Sequence, residues 1–400
     1  MNNVEKLNGY CSGCGCCELI CKFDAVKVEL DADGFFSARV DEQKCVECGQ
    51  CISVCLRGGV KNAVRLTEGR MIAAQSKNKD VVKSCTSGGI AYELSQKAIA
   101  DGDAVVGVIY DYEKDMAKTV LGHNEEEIEE FKGSKYLQSY TAEGFWAAIE
   151  EAEQNPNRKI LVFGMPCQIY GFASLIEKKG IRDQFILVDL FCHGVPSYLL
   201  WNKYLQKIKR RIGEDKLTKV IFRDKCNGWH NFVMRIHGKT GEYKKNSEGD
   251  LFYNAFFDNV LLCKSCFDCP VRQEFSKADI RLGDYWGKRF QDREDGVSAV
   301  LILNEKGERV LKYNKNVLII ETTTVQEMVR VQSVQKYDGI ELQREALKSL
   351  SVGSIGTAMK SYREHFEPRK RLKLKCKRIV SIFPEKIRNL IKNHYRRKKV

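Results

Sequence analysis

Beyond residue 65 the chain alternates between short apolar runs and longer stretches whose apolar residues recur at helical spacing. AVVGVIY (104–110), KILVFGMP (159–166), QFILVDLF (184–191) and AVLILN (299–304) read as buried strands. GIAYELSQKAIA (89–100) and EGFWAAIEEAEQ (143–154) read as the helices between them. Such alternation is the mark of an α/β layer, where ligands collect at the ends of strands. The first 65 residues have a different texture. VKVEL (26–30) and FFSARV (35–40) alternate in polarity on either side of DADG, which predicts a hairpin.

With 400 residues, 43% of them hydrophobic and 30% charged, the chain is long enough for two to three cores. It has no apolar run of membrane-spanning length, and MNNVEKLNGY lacks the basic and apolar regions of a signal peptide, so a cytoplasmic location is expected. The net charge of +13 suggests nucleic acid until its distribution is examined: the last forty residues hold fifteen Lys or Arg against three Glu, and the rest is near neutral. In that tail Pro384 precedes Ile387, Leu390 and Ile391 at helical spacing, which predicts a short basic amphipathic helix. It suits peripheral attachment to an anionic membrane surface at the inner face, each Lys or Arg contributing about 1 kcal/mol, or else a solvated end. Basic and aromatic residues do not interleave elsewhere, so no nucleic acid is expected.

Seventeen cysteines in a long chain without an export signal point to metal rather than disulfides. Cys11, Cys14, Cys17 and Cys21 have the spacing x2, x2, x3, and the same spacing returns 34 residues later at Cys45, Cys48, Cys51 and Cys55. This is the bacterial two-cluster ferredoxin pattern, in which the fourth cysteine of each run serves the other 4Fe-4S cluster. The expected ligand sets are thus Cys11, Cys14, Cys17 and Cys55, and Cys45, Cys48, Cys51 and Cys21. Cys16 is surplus, since its counterpart in the second run is Gln50. Zinc is the competing reading, but zinc sites usually pair two CxxC units. Lys22 and Leu56 stand where a proline often follows.

Four loops of the larger part carry candidate chemistry. SCTSGG (84–89) offers hydroxyls and free amides ahead of a helix, which suits phosphate as well as ordinary capping. KGSKY (132–136) adds Lys135 and Tyr136. GMPCQIYG (164–171) and DLFCHGVPS (189–197) each place a cysteine just after a strand, Cys167 and Cys192. Cys192 and His193 are chain neighbours and need not face each other, so no nucleophile and base dyad is read there. Further on, Cys263, Cys266 and Cys269 form a third metal-like run without a local fourth ligand, which Cys192 or Cys167 could supply. A third 4Fe-4S cluster is preferred over a zinc knuckle.

In this order SCTSGG, KGSKYLQS, FGMPCQIYG, VDLFCHGVPS, FRDKCNGW, SCFDCP and DIRLGDYWG resemble the blocks of the coenzyme F(420) hydrogenase/dehydrogenase beta-subunit family, in its form with an N-terminal two-cluster ferredoxin domain. The resemblance implies an α+β ferredoxin-like domain (1–65), an α/β FAD and 4Fe-4S domain (66–340) and a helical basic tail (341–400). It implies Ser84, Ser87, Gly88, Gly89, Ser134 and Lys135 as flavin-site residues, and Cys167, Cys192, Cys266 and Cys269 as ligands of the third cluster. Cys263 then falls outside the ligand set, and Cys85 stands where serine is more usual. Arg223, Asp224, Trp229, His230, Asp284 and Trp286 are candidates for substrate contact, with His230 and Asp284 named as catalytic; a histidine titrates near working pH. The expected activity is an iron-sulfur flavoprotein oxidoreductase that links ferredoxin or another low-potential donor to a small organic substrate, in the manner of relatives associated with cell-surface polysaccharide biosynthesis. The alternatives are a deazaflavin dehydrogenase electron-input subunit and a non-catalytic electron-transfer subunit.

Overall fold

The computed structural model describes residues 2–7, 9–327, 339–383, 387 and 390. It opens with the expected hairpin, β1 (Val26–Leu30) pairing antiparallel with β2 (Phe36–Val40). Asp31 closes the turn by accepting from the amides of Asp33 and Phe35, both at 3.0 Å. The two cysteine runs flank this hairpin, and each ends in a one-turn helix, Cys16–Leu19 and Gln50–Ser53. A left-handed glycine opens each turn, Gly15 (φ 76°) and Gly49 (φ 72°). The sequence repeat is therefore a backbone repeat, and only glycine enters that conformation without strain.

The chain continues through β3 (Val64–Arg65), β4 (Arg70–Ser76), β5 (Ala104–Asp111), β6 (Met116–Gly122), β7 (Ile160–Phe163) and β8 (Phe185–Leu190). Then follow β9 (Lys219–Asp224), β10 (Val233–His237), β11 (Glu242–Asn246), β12 (Phe275–Ser276), β13 (Ile280–Asp284), β14 (Ser298–Ile302) and β15 (Val317–Thr323). Eight of these form one sheet in the order β15-β4-β14-β13-β8-β7-β5-β6. Its centre, β13-β8-β7-β5, is parallel, and the strands on either side are antiparallel. The fold is mixed α and β, with a parallel core inside an antiparallel frame.

The four apolar runs coincide with β5, β7, β8 and β14, and they are continuous because both sheet faces are covered. Ile72, Val105, Leu161 and Val188 meet Ile90, Leu94 and Ala98 of the helix Ile90–Ala100 on one face. Met71, Ala104, Val106 and Val162 meet Phe145, Ile149, Phe172 and Leu175 of the helices Ala142–Gln154 and Pro166–Lys178 on the other. A second sheet, β11-β10-β9, is wholly antiparallel and packs its aromatic residues against the helix Tyr198–Ile212.

The cysteine-bearing segment is bolted to the sheet rather than tethered. Gln138 accepts from the Phe36 amide at 2.9 Å and donates to the Ser12 carbonyl at 2.9 Å, and Thr141 donates to the Cys14 carbonyl at 2.9 Å. On the other side Tyr170 donates to the Gly59 carbonyl at 3.1 Å. Gly13 lies so close to Gln138 and to the Phe36 carbonyl, 2.4 Å from an added Cβ to each, that no larger residue fits at the joint.

The C-terminal region departs from the expectation of a tail over 341–400. Helices Ile340–Val352 and Ile355–Arg363 bury Leu347, Leu350, Ile355, Met359 and Tyr362, so they complete the core. Asp258 anchors them, accepting from Tyr362 at 2.8 Å and from Arg363 at 2.6 Å. Helix Pro368–Ile382 follows. Of the amphipathic helix expected around Pro384, Ile387, Leu390 and Ile391, Pro384 and Ile391 lie outside the described residues, while Ile387 and Leu390 are exposed. Among the described residues no helix is long and apolar enough to cross a membrane.

Candidate functional site

Cys55 comes near the first cysteine run. The charges that act on Cys17 are those of Cys14, Cys11, Cys55 and Cys51, and those that act on Cys55 are Cys14 and Cys11. Cys55 is thereby grouped with the first run although it belongs by sequence to the second. Burial pushes its thiol up to about 12. In the other set, the Ala25 amide donates to Cys21 Sγ at 3.4 Å and Asn3 Nδ2 to Cys45 Sγ at 3.8 Å, while Cys48 is exposed. A thiol whose burial opposes ionisation becomes a good ligand once a cation balances the thiolate.

Cys16 is fully buried, and its thiol donates to the Cys14 carbonyl at 3.5 Å. The same thiol holds Cys14 down to about 7. Cys16 thus supports its neighbour Cys14. Cys16→Ser is expected to leave the iron content unchanged, whereas Cys17→Ser should remove about one cluster's worth. Iron assay with low-temperature EPR of both variants checks this; iron loss in Cys16→Ser would place the register wrong.

The later cysteines form a second gathering. Cys167, Cys192, Cys266 and Cys269 line one cavity of 380 Å³. They arrive from separate elements: Cys167 opens the helix after β7, Cys192 follows β8, and Cys266 and Cys269 flank a turn before β12. The volume is many times the roughly 30 Å³ share of one water, so it suits a multi-atom group better than a single ion. Among the described residues no three His, Cys, Asp or Glu side chains converge closely enough to hold one ion. Burial raises Cys167 and Cys192, and lifts Cys269 to about 11. Cys263 is buried and does not line this cavity; its thiol meets the Cys11 carbonyl at 3.6 Å, the Ser265 hydroxyl at 3.2 Å and the thiol of Cys266.

A further cavity, of 270 Å³, opens at the carboxyl ends of the parallel strands, lined there by Phe163, Leu190 and Asp284. Gly89 (φ 86°), Ile90 and Ala91 bring the amino end of an eleven-residue helix to its wall, where unpaired amides favour an anion. Ser87, Ser134 and Lys135 also line it. Burial brings the Lys135 ammonium down to about 7 while its Nζ donates to the carbonyls of Glu130 and Lys132 at 2.8 and 3.0 Å. Ser84 and Gly88 stand behind the wall. The Ser84 hydroxyl caps its own helix at the Asp80 carbonyl, 2.9 Å, and the Gly88 amide donates to the Ser298 hydroxyl at 3.0 Å. The helix amides, the hydroxyls and Lys135 fit the phosphate end of a dinucleotide.

Asp284 reaches this cavity, whereas His230 is not among its lining residues. Asp284 receives Trp229 Nε1 at 2.7 Å and pairs with Arg223, whose guanidinium lies between the rings of Phe232 (4.8 Å) and Trp286 (4.9 Å). Trp229 and Trp286 stack at 4.9 Å and 10°. His230 lies against that stack with Nε2 3.2 Å from the Phe290 carbonyl. Tyr136 also faces inward, onto Phe222, Tyr253 and Phe256.

Lys225 was missed by sequence reasoning although it lies inside a recognised block. Its ammonium donates to the carbonyls of Val82, Ser87 (2.9 Å) and Asp295 (2.7 Å), and so clamps the 82–87 loop against the end of β14. Burial lowers it to about 8. A lysine followed by cysteine gives no local sign of such a partner set.

Residues 157–328 match the carboxyl-terminal part of the family described as "Coenzyme F420 hydrogenase/dehydrogenase, beta subunit". The F subunit of the F(420)H(2) dehydrogenase from Methanosarcina mazei is 26% identical over 316 residues, which cover 75% of this chain and 80% of that protein. A chain of the F(420)-reducing NiFe hydrogenase complex from Methanosarcina barkeri is 20% identical, with a TM-score of 0.43, covering 75% of this chain and 93% of its own. The stretch that resembles the carboxyl-terminal part of that family, residues 157–328, contains Cys167, Cys192, Cys266, Cys269 and Asp284.

Proposed function

We propose that the chain is an iron-sulfur flavoprotein oxidoreductase subunit that exchanges electrons between a deazaflavin of the F(420) class and a one-electron partner. Three 4Fe-4S clusters would be held by Cys11, Cys14, Cys17 and Cys55, by Cys45, Cys48, Cys51 and Cys21, and by Cys167, Cys192, Cys266 and Cys269. FAD would lie in the cavity lined by Ser87, Gly89, Ser134 and Lys135, with Ser84, Gly88 and Lys225 shaping its wall. A flavin supplies the coupling between one-electron carriers and two-electron hydride chemistry.

The observation that carries the reading is the position of Met165. It lines both the cavity with the four later cysteines and the cavity at the strand ends, so one loop, 163–168, separates the two. On the far side of the same cysteines lies the ferredoxin-like segment, in contact through Cys263 and Cys11. Arg223 pairs with Asp284 on the cavity wall, and the stacked Trp229 and Trp286 pack beside the pair. Asp284 is thus the positioned acid or base group, and His230 supports the tryptophan stack.

The names of the matched family and of the Methanosarcina mazei relative move the deazaflavin reading ahead of the envelope-glycan one. That relative is named as a subunit, which favours a partner subunit as the counterpart; the exposed Cys48 end is where it, or a ferredoxin, would dock. The basic C terminus suits an anionic membrane surface at the cytoplasmic side.

Anaerobic purification should yield about twelve irons with matching sulfide and one FAD per chain, and the protein should bleach added oxidised deazaflavin when supplied with a low-potential reductant. Zinc in place of iron, or no flavin after gentle isolation, would sink the cofactor assignment. Intact cofactors without deazaflavin turnover, restored by a partner, would identify an electron relay instead.

A further inference from the structure

Arg57 follows the last ferredoxin-type cysteine by two residues, in the turn Leu56–Gly58, and a position so close to a cluster loop is ordinarily spent on packing. Here the side chain is half-buried and reaches across the joint between the two parts of the molecule. It lines the cavity that also holds Cys167, Cys192, Cys266 and Cys269. The backbone makes room for it: a Cβ on Gly9 would stand 2.0 Å from Arg57 Nη1, and Gly9 is left-handed at φ 99°. The left-handed backbone favours glycine at position 9, and the guanidinium packs directly over it.

The charges around Arg57 are sulfur charges. After burial, the largest influences on it are Cys11 and Cys55 from one gathering, then Cys263 and Cys269 from the other. The Tyr10 ring marks the same seam, with Arg57 Cζ at 5.8 Å and Lys264 Nζ, from the Cys263 to Cys269 run, also at 5.8 Å. Among the described residues Arg57 has no carboxylate within ion-pair distance, in contrast to the buried Arg223 and Arg281, each of which is neutralised by an aspartate. A full positive charge partly withdrawn from water thus sits between two sets of cysteines. Arginine is suited to that place, since it stays charged under all working conditions.

We infer that Arg57 is a positioning charge at the junction, one that raises the reduction potentials of the cluster at Cys11, Cys14, Cys17 and Cys55 and of the cluster at Cys167, Cys192, Cys266 and Cys269 together. The inference rests on the cofactor assignment proposed above. Each reduction adds one electron to a cluster and changes no bond, so a fixed cation beside both favours the reduced form of each. The set Cys21, Cys45, Cys48 and Cys51 provides an internal control, since none of the four lines the cavity that Arg57 lines and none lies within two residues of it.

The test is an EPR-monitored redox titration of the purified full chain and of Arg57→Gln, Arg57→Met and Arg57→Lys. In the two neutral variants, two of three midpoint potentials should fall by at least a tenfold change in the reduction equilibrium, about 59 mV for one electron, while the third stays and Arg57→Lys remains near wild type. Arg57→Met keeps an apolar stem against Tyr10 and repeats the measurement should the glutamine disturb cluster loading. Unshifted potentials in neutral variants with full iron content, or equal shifts of all three, overturn the role of Arg57 alone. Absence of iron-sulfur signals in the unmutated chain overturns the cofactor assignment, and this role with it.

Discussion

Asp189→Ala is expected to be the most damaging single change away from the cysteines. Asp189 on β8 and Arg281 on β13 are partners in the parallel register, and both are essentially inaccessible. The pair is bidentate, with Nε to Oδ1 and Nη2 to Oδ2 both at 2.6 Å, and Ser276 donates to the same carboxylate at 2.7 Å. Arg281 spends its remaining donors on the carbonyls of Val271 (2.8 Å) and Arg272 (3.2 Å). These carbonyls lie just after Cys269, and Asp189 lies three residues before Cys192, so one ion pair ties together two of the chain segments that surround the later cysteine cavity.

Removing the aspartate leaves a buried guanidinium uncompensated, which costs about 3 to 5 kcal/mol. Urea unfolding under anaerobic conditions should show that loss, together with disappearance of the EPR signal of the third cluster. The double change Asp189→Leu with Arg281→Met should recover much of the stability, because apolar replacement of a buried pair is often neutral. A single variant with a wild-type midpoint and a full cluster complement would show that the pair is dispensable.

Gly88→Ala should weaken retention of the proposed flavin while leaving the cysteine sites intact. An added Cβ would stand 2.6 Å from the Ala74 carbonyl oxygen, 2.7 Å from the Ser298 amide nitrogen and 2.9 Å from the Ser298 hydroxyl. Two of these are backbone atoms of neighbouring strands, β4 and β14, and they cannot turn aside. The 84–89 loop must move instead, giving up the bond from the Ser76 amide to the Gly88 carbonyl at 2.7 Å. Overpacking of this kind costs about 1 to 3 kcal/mol. A displaced loop should weaken flavin binding by at least roughly tenfold, equivalent to about 1.4 kcal/mol. Flavin released on gel filtration, read against unchanged iron content, measures it; a variant that keeps its flavin would move the cofactor away from this loop.

Gly88 and Asp189 differ in how far the sequence anticipates them. SCTSGG points to hydroxyls, glycines and free amides of the kind that bind phosphate, yet Gly88 is needed because the loop packs tightly onto the paired strands β4 and β14. Asp189 lies inside a recognised block without any local sign of its importance, because its partner is ninety-two residues away. Lys225 and Arg57 are hidden for the same reason: a cation's partners here are backbone carbonyls or sulfur from other segments, and no spacing encodes them. His230 illustrates the reverse error of emphasis. Its chemistry makes it attractive, but the fold spends it on the Trp229 and Trp286 stack and brings Asp284 to the cavity.

By itself the sequence determined what depends on near neighbours. The 34-residue cysteine repeat, the hairpin around DADG and the apolar strands are written as short periods, since backbone geometry repeats every two to four residues. It also separated Cys16 from its four neighbours by register alone. The tertiary structure decided which distant pieces meet: Cys55 with the first run, Cys167 and Cys192 with Cys266 and Cys269, and Arg57 between the two sets. It decided too that residues 340–363 belong to the core. Those encounters follow from sheet order and from whole-core packing, which sum many weak burial terms over the entire chain, and no window of a few residues contains that sum.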